Sequence, residues 1–337
     1  MKLQDFFYQL PEDLIAQYPL ENRAAARLLI LNRNSGEIIH RHFYEITEYL
    51  SAGDVLVLND TKVFKARILG KKETGAQLEI LVITYQDNEC LALINPGRRI
   101  KENVKIIFPA EIFARVRARK QGKYYLEFNE PVVGVLEKLG RVPLPHYIRR
   151  EPEKIDETEY QTVYAQKVGS VAAPTAGLHF TPELLEKIKE KGVIVTTITL
   201  HIGPGTFKPI RTENVEEHLM DPEYVEISEI SAELINAGRR IIGVGTSVTR
   251  ALEYVACQNK NNRKRVIPFT GEVDLFIYPG FKFKVIDCLV TNFHLPCSTP
   301  LLLVCAFAGR DLIFRAYQEA INNRYRFLSY GDAMLIL

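Results

Sequence analysis

The feature that most constrains this chain is a change of residue pattern near position 63. From there to about 130 the chain consists of short segments rich in β-branched and aromatic residues, separated by glycine, asparagine and proline. Short strands at such close spacing are typical of a small β-barrel. The predicted strands cover residues 63–69, 77–84, 91–94, 104–108, 112–119 and 124–128.

Beyond residue 145 the pattern alternates between strands and helices. Helices are predicted over 182–191, 231–240, 247–257, 300–307 and 311–322, and strands over 193–200, 241–244 and 287–291. This alternation is typical of a mostly parallel sheet covered by helices. The predicted fold class is therefore α/β. A discontinuous main domain (residues 1–62 and 146–337) with a mostly parallel sheet is interrupted by an inserted small β-barrel domain (residues 63–145).

Composition narrows the class of protein. The 337 residues are 47% hydrophobic and 25% charged, as in a packed globular chain. The longest apolar run, Leu301–Ala308, is far shorter than the ~20 residues of a membrane span, and no secretory signal opens the chain. The five cysteines form no C-x-x-C pair. We expect a cytoplasmic protein with no membrane segment, disulfide scaffold or cysteine zinc site.

Positive charge is concentrated in the predicted barrel. Residues 65–140 contain 14 Lys and Arg against nine Asp and Glu, although the whole chain has a net charge of only +2. An ordinary solvated face explains this excess, and dedicated nucleic-acid domains usually show more. A patch that attracts phosphates is the alternative. The basic residues of Arg115–Lys120 alternate with apolar ones, which on a strand places them on one face.

Polar, glycine-rich segments follow several predicted strands, where parallel sheets bind ligands. They are residues 58–62, 172–181, 199–207, 244–247 and 291–296. Gly203-Pro204-Gly205 fits either a tight turn or close approach of a ligand. Gly243 and Gly245 form half of a dinucleotide-binding motif, but Val248 replaces its third glycine. The helix that follows either binds a carboxylate or phosphate at its N-terminus or is simply capped.

Three of these segments each contain a histidine: His179, His201 and His294. Because histidine titrates near neutral pH, their convergence in one pocket would favour proton transfer. A three-histidine metal site is the alternative, but no pair has the close helical spacing of zinc enzymes. We therefore predict no metal. No phosphate-binding G-x-x-x-x-G-K-[ST] loop and no G-x-S-x-G elbow occurs.

Taken together and in this order, these segments resemble one family, the S-adenosylmethionine:tRNA ribosyltransferase-isomerases of queuosine biosynthesis. Ala172–Thr181 (AAPTAGLHFT) and Thr291–Pro296 (TNFHLP) are the most specific strings. Two positions depart slightly from the family pattern: Ser247-Val248-Thr249 replaces the Thr-Ser-Val expected before Arg250, and Lys62 stands where arginine is common. The other matching stretches, from one end of the chain to the other, are Asp5–Pro19, Leu58–Arg67, Tyr160–Tyr164, Val171, Thr199–Phe207, Ala306–Gly309 and Tyr325–Met334.

The resemblance implies a reaction. The ribosyl portion of S-adenosylmethionine is transferred to the aminomethyl group of 7-aminomethyl-7-deazaguanine at the tRNA wobble position. Isomerisation to an epoxy-cyclopentane ring gives epoxyqueuosine, and adenine and methionine are released. S-adenosylmethionine is then a consumed co-substrate, and no cofactor is permanently bound. The expected partner is tRNA carrying the modified base, and the expected state is a monomer.

The resemblance also implies roles for individual residues. His179 is the expected base, and His201 or His294 the expected acid near adenine. The methionyl carboxylate is assigned to Thr246 and Ser247. The donor pocket is expected to be shaped by Thr175, Gly177, Gly203, Gly205 and Thr206. Hydrogen bonds to the ribose or the deazaguanine are expected from Asn59, Asp60 and Asn292, and closure of the site is expected from Tyr330 and Asp332. Contacts with tRNA phosphates are expected from Arg67, Arg98, Arg99, Arg117 and Lys120.

Three rival functions remain open from the residues alone. An RNA methyltransferase using S-adenosylmethionine would release S-adenosylhomocysteine instead of adenine and methionine. A non-catalytic RNA-binding barrel would explain the basic insertion but not three histidines outside it. A metal hydrolase would use the same three histidines as ligands.

Overall fold

The computed structural model describes residues 1–97, 100–207, 210–259 and 265–337. The described strands are β1 (Arg27–Leu31), β2 (Ile38–His42), β3 (Asp54–Asn59), β4 (Thr61–Val63), β5 (Arg67–Lys72), β6 (Gln77–Gln86), β7 (Glu89–Asn95), β8 (Lys105–Ile107), β9 (Phe113–Lys120), β10 (Lys123–Phe128), β11 (Lys167–Ser170), β12 (Ile194–Leu200), β13 (Glu223–Ile227), β14 (Arg240–Val244), β15 (Phe269–Val273), β16 (Cys288–Asn292) and β17 (Ala333–Ile336). The described helices are α1 (Val132–Leu139), α2 (Asp156–Glu159), α3 (Pro182–Glu190), α4 (Glu229–Ala237), α5 (Thr246–Gln258), α6 (Thr299–Ala308) and α7 (Arg310–Asn322).

The larger part of the molecule is built on a nine-stranded sheet in the order β15-β13-β12-β3-β14-β16-β17-β1-β2. The neighbours β12, β3, β14 and β16 are all parallel. Antiparallel pairings occur at β13, between β16 and β17, and at β2, so the sheet is mixed. Six of its nine strands nevertheless run in one direction.

Strand β3 shows why this sheet is covered on both faces. All six of its residues are buried. Because successive side chains of a strand point to opposite faces, both faces of the sheet must be covered there. Val55 and Val57 pack in a core that includes residues of α4, α5, α6 and α7. Leu56 and Leu58 pack in a second core with α3 and the 3-10 helix Phe43–Tyr49. The result is a three-layered α/β unit.

The basic insertion forms a closed antiparallel barrel in the order β10-β7-β6-β5-β8-β9. Alternate residues of these strands fill its interior, and the apolar side of α1 joins the same core. A Cβ atom at Gly70 would lie 2.7 Å from the ring of Phe108, so close packing inside the barrel requires glycine there.

The predicted α/β fold with an inserted barrel is confirmed. Barrel strands begin at Arg67 and α1 ends at Leu139, both within the predicted insertion, while the boundaries at 62/63 and 145/146 stay predictions. Among the strands that follow residue 60, the sequence patterns missed β4, β11, β13, β15 and β17. Most of these strands are short, so their hydrophobic periodicity is weak. Among the described residues, no helix has the length and apolar character needed to cross a bilayer.

Candidate active site

A cavity of about 380 Å³ opens where the parallel strands β14 and β16 end. This size is in the range of small-molecule sites. Its wall consists mainly of residues 172–176, 245–247 and 291–298. It therefore combines three of the glycine-rich or polar segments singled out in the sequence, at the edge of the sheet where they were expected.

One wall of the cavity is the start of α5. Gly245 adopts a φ of 94°, a backbone conformation that favours glycine, and its position before the helix brings no capping side chain. The N–H groups of the first turn are therefore without a side-chain cap. Thr246 and Ser247 line the cavity at this point. A helix N-terminus of this kind attracts anions.

A buried ion pair lies one turn further along α5. Nη1 of Arg250 donates to Oε2 of Glu223 at 2.7 Å, and its Nε donates to the carbonyl of Leu275 at 3.0 Å. The other carboxylate oxygen of Glu223 accepts from the Gly203 N–H at 2.9 Å. Both Arg250 and Glu223 line the cavity. The second terminal nitrogen of Arg250, Nη2, is buried and has no partner among the described residues.

Asn292, the last residue of β16, presents the opposite kind of group. Its Nδ2 donates to the carbonyl of Leu328 at 3.1 Å and lies 3.2 Å from Nε2 of His179. Its Oδ1 is buried and, within the described part of the chain, has no partner. Buried polar atoms are nearly always hydrogen-bonded in native proteins. The cavity wall therefore contains one unpaired donor and one unpaired acceptor, as expected of a ligand site.

His294 is firmly held in the cavity wall. Its ring Nε2 lies 2.7 Å from the Thr291 hydroxyl. Its backbone N–H donates to the Tyr317 hydroxyl at 3.0 Å, and its backbone carbonyl accepts from the Tyr8 hydroxyl. Burial lowers the pKa of His294 to about 3. The ring is therefore neutral at neutral pH, with a fixed orientation.

His179 lies outside this cavity. It lines a small separate cleft with Arg23, Glu159 and Tyr330. Burial lowers its pKa to about 4, so it too is neutral at neutral pH. The amide of Asn292 donates to its Nε2, and this contact is its connection to the large cavity.

His201 lines neither of these two spaces. Its Nδ1 lies 2.8 Å from the Thr61 hydroxyl, and its ring stacks on Tyr224 with centroids 5.4 Å apart. Burial lowers its pKa. The expectation that His179, His201 and His294 share one pocket is therefore wrong, because His294 lines the cavity, His179 lines the separate cleft and His201 lines neither.

Among the predicted substrate-binding residues, Thr175, Thr246, Ser247 and Asn292 line the cavity. Asn59 instead joins β3 to β12: its Oδ1 accepts from the N–H groups of Thr61 and Leu200, and its Nδ2 donates to the Leu200 carbonyl. Asp60 is buried and accepts from the hydroxyls of Thr199 at 2.7 Å and Thr197 at 3.3 Å. Most polar contacts of these two residues thus serve the junction of β3 with β12, although Nδ2 of Asn59 also donates to the Ser247 hydroxyl at 3.5 Å.

The predicted pocket glycines have packing roles. A Cβ atom at Gly177 would lie 2.0 Å from the Tyr164 hydroxyl, and one at Gly205 would lie 2.7 Å from Oδ2 of Asp221. The N–H of Gly203 is taken by Glu223. The side chain of Thr206, which was also predicted to shape the donor pocket, lies outside the described part of the structure.

Tyr330 and Asp332 secure the C-terminal segment. The Tyr330 hydroxyl donates to Oδ1 of Asp156 at 2.7 Å. Asp332 accepts from the backbone N–H groups of Arg27 at 2.8 Å and Arg326 at 2.7 Å. Of the two, Tyr330 lines the small cleft.

The predicted tRNA contacts separate into exposed and enclosed residues. Arg117 and Lys120 are exposed on β9, as are Arg115 and Arg119. The predicted one-sided alternation is wrong for Arg119, because a register shift between Tyr125 and Leu126 of β10 places it opposite the buried Tyr124, with its guanidinium 5.3 Å from that ring. Arg117 is paired with Glu127. Arg67 is only partly exposed and donates to the carbonyl of Leu144 at 2.7 Å. Arg98 and Arg99 lie outside the described residues.

Sequence reasoning missed the pair of Arg250 and Glu223. Arg250 lies four positions after Thr246, on the same helical face, and this spacing was the available signal. Nothing near Glu223 in the sequence points to the cavity. Within the described ranges, no three His, Cys, Asp or Glu residues are grouped so that they could hold a metal ion.

A ligand cavity at the ends of parallel strands defines this chain as an α/β protein with a small-molecule site and an attached basic barrel. A family model described as "Queuosine biosynthesis protein" matches residues 3–336. The chain belongs to this family. The predicted family and the predicted enzyme class, a transferase-isomerase, are confirmed.

Curated relatives support this assignment over their full length. The proteins named S-adenosylmethionine:tRNA ribosyltransferase-isomerase from Aquifex aeolicus and Staphylococcus saprophyticus are 47% and 49% identical, each over 100% of both chains. A crystal structure described as S-adenosylmethionine tRNA ribosyltransferase from Thermotoga maritima is 37% identical. It covers 99% of this chain and 100% of its own, with a TM-score of 0.57.

Proposed function

We propose that this chain transfers the ribosyl portion of S-adenosylmethionine to the aminomethyl group of 7-aminomethyl-7-deazaguanine at the wobble position of tRNA and isomerises it. The products are epoxyqueuosine-tRNA, adenine and methionine. The observation that carries this proposal is the cavity at the ends of β14 and β16, whose wall includes residues 172–176 of the family string AAPTAGLHFT and the whole of TNFHLP. The names of the full-length relatives support the substrates S-adenosylmethionine and tRNA.

The chemistry requires a proton to leave a carbon next to the sulfonium and adenine to depart. We assign contact with the donor to His294, because its ring alone among the three histidines lines the cavity. A neutral imidazole has one N–H to donate and one nitrogen to accept a proton. The Thr291 hydroxyl fixes the ring so that one of these nitrogens is available to adenine or to the acidic C–H.

His179 receives a different role in this proposal. Its Nε2 is occupied by the amide of Asn292, and its ring is buried outside the cavity. We therefore assign it as a positioning residue that orients Asn292. The unpaired Oδ1 of Asn292 then meets a hydroxyl or N–H of the substrate.

The outer face of β9 is the proposed tRNA contact. Arg115 and Arg117 project from it, and the neighbouring Tyr125 on β10 is 43% exposed, with the Lys120 ammonium 5.8 Å from its ring. Arginine on a surface binds phosphates, and an exposed aromatic ring can stack on an unpaired base. In this proposal the charge excess of the barrel serves to bind the tRNA backbone.

Replacing Arg115 and Lys120 with glutamine should weaken tRNA binding and reduce its dependence on salt. Each lost phosphate contact lowers the slope of log K against log salt by ~0.7–0.9. Filter binding or fluorescence anisotropy at several salt concentrations measures this slope. Arg310→Gln with Arg324→Gln, at exposed ion pairs outside the barrel, is the control. An unchanged slope in the barrel variant would place the tRNA elsewhere.

Incubation with S-adenosylmethionine and tRNA bearing the aminomethyl deazaguanine should release adenine and methionine in equal amounts. Mass analysis of the nucleosides should show epoxyqueuosine in the same amount, because the ribosyl carbon skeleton ends on the base. The same tRNA with guanine at that position is the control and should yield neither product. Release of S-adenosylhomocysteine would show a methyltransferase instead, and tRNA binding without product would support the non-catalytic barrel.

A further inference from the structure

The pair of Arg250 and Glu223 is unusual for a structural ion pair. The side chains are 9% and 4% exposed, and both carboxylate oxygens of Glu223 are occupied, one by Arg250 and one by the Gly203 N–H. Among the described residues, Nη2 of Arg250 has no acceptor. A buried N–H left without a partner is destabilising, so an acceptor supplied by a ligand would remove that penalty.

The surroundings of this nitrogen favour an anion. Arg250 lies one turn after Thr246, so the uncapped start of α5 and the guanidinium border the same cavity. Both carry positive potential. Glu223 accepts from Arg250 and from the Gly203 N–H, and it holds the guanidinium in place. A planar carboxylate matches the N–H geometry of arginine better than a neutral acceptor does.

A second unpaired group restricts the ligand further. Asn292 also lines this cavity, and its buried Oδ1, which has no partner among the described residues, accepts only from an N–H or O–H. A ligand that satisfies both groups carries an anionic acceptor and a hydrogen-bond donor. S-adenosylmethionine has both, with a carboxylate on its amino-acid tail and donors on its ammonium, ribose and adenine.

We propose that Arg250, positioned by Glu223, binds the carboxylate of the amino-acid tail of S-adenosylmethionine and makes the enzyme select donors that carry it. This inference rests on the proposed function, and it adds a specificity-determining residue to the carboxylate site expected at Thr246 and Ser247. Sulfonium compounds without the carboxylate leave Nη2 unpaired, and they are therefore disfavoured.

Calorimetric titration with S-adenosylmethionine and with its decarboxylated analogue tests the proposal. The wild-type protein should bind S-adenosylmethionine roughly 10- to 100-fold more tightly, the range expected for a hydrogen bond to a charged group. The double variant Arg250→Gln with Glu223→Gln removes both charges together, so no buried charge is left unpaired. In this variant the two ligands should bind within about threefold of each other. Arg250→Lys keeps the charge without the planar fork and should give an intermediate preference.

The matched control is Arg240→Gln with Asp54→Asn. This is also an arginine paired with a buried aspartate, at 2.6 Å, and neither residue lines the cavity. The control should keep the wild-type preference. Equal binding of both ligands by the wild-type protein would overturn the inference even if the double variant does not fold, as would a preference that survives in a folded double variant. If the wild-type protein binds neither ligand and releases no adenine, the proposed function itself fails.

Discussion

Replacement of His294 by glutamine should lower the rate of adenine release by about 100-fold or more, the usual effect of removing a general acid or base. The ring lines the cavity and is held by the Thr291 hydroxyl, so glutamine loses the imidazole while keeping a polar side chain. Binding of S-adenosylmethionine should stay within a few-fold, because the ion pair and the helix N-terminus are untouched. Single-turnover kinetics and calorimetry separate the two effects.

His42→Gln is the matched control for this variant. The His42 ring is exposed and stacks on Tyr44, with centroids 5.3 Å apart. Its replacement should leave turnover unchanged. Near-normal turnover in the His294 variant would remove this residue from the mechanism and return the base to His179.

The same residue gives a prediction for pH. Burial holds the pKa of His294 at about 3, so the ring stays neutral from pH 8 down to pH 5. The rate should therefore show no change near pH 6.5 from this group. Folding stability, unlike the rate, should depend on pH in this range. The unfolded state takes up a proton below about pH 6.5 and the folded state does not, so stability falls as the pH drops from there toward the folded pKa.

Asp156→Ala should lower the free energy of unfolding by about 3–5 kcal/mol, the cost of breaking a buried ion pair. Asp156 is fully buried and accepts from both terminal nitrogens of Arg150 at 2.7 Å, from the Tyr330 hydroxyl and from the Glu153 N–H. Removing the carboxylate leaves Arg150, which is 12% exposed, without this partner. Chemical denaturation at pH 7 measures the loss.

Asp13→Ala is the matched control, because Asp13 also pairs with an arginine, Arg324, at 2.6 Å. Both of those side chains are largely exposed, so the expected loss is much smaller than that of Asp156→Ala. Equal losses in the two variants would show that the Asp156 network contributes no more than a surface pair.

Acid should weaken the same network. Burial raises the pKa of Asp156, but hydrogen bonds from Arg150 and Tyr330 outweigh it and leave the pKa below its usual value. The carboxylate therefore contributes stability above its unfolded pKa near 3.9. That contribution is lost as the pH falls through the lower folded value.

The sequence allowed a useful part of the site to be predicted. Thr175, Thr246, Ser247, Asn292 and His294 lie in the polar, glycine-rich segments singled out in the sequence, and all five line the cavity. His201 was singled out on the same ground and stacks on Tyr224 instead. Position after a strand places a residue at the correct edge of the sheet, but it does not determine the direction in which the following loop turns.

The fold class, the inserted barrel and the family were determined by the sequence itself, because residue periodicity and long specific strings can be read without knowing which residues are in contact. Only the tertiary structure decided which polar groups are left for a ligand. Asn59 and Asn292 both end a strand, yet Asn59 has its Oδ1 taken by neighbouring N–H groups, whereas Asn292 keeps its Oδ1 unpaired. The ion pair of Arg250 with Glu223 was likewise visible only in the tertiary structure, since the hydrogen-bond partners of a buried group are often distant from it in the chain.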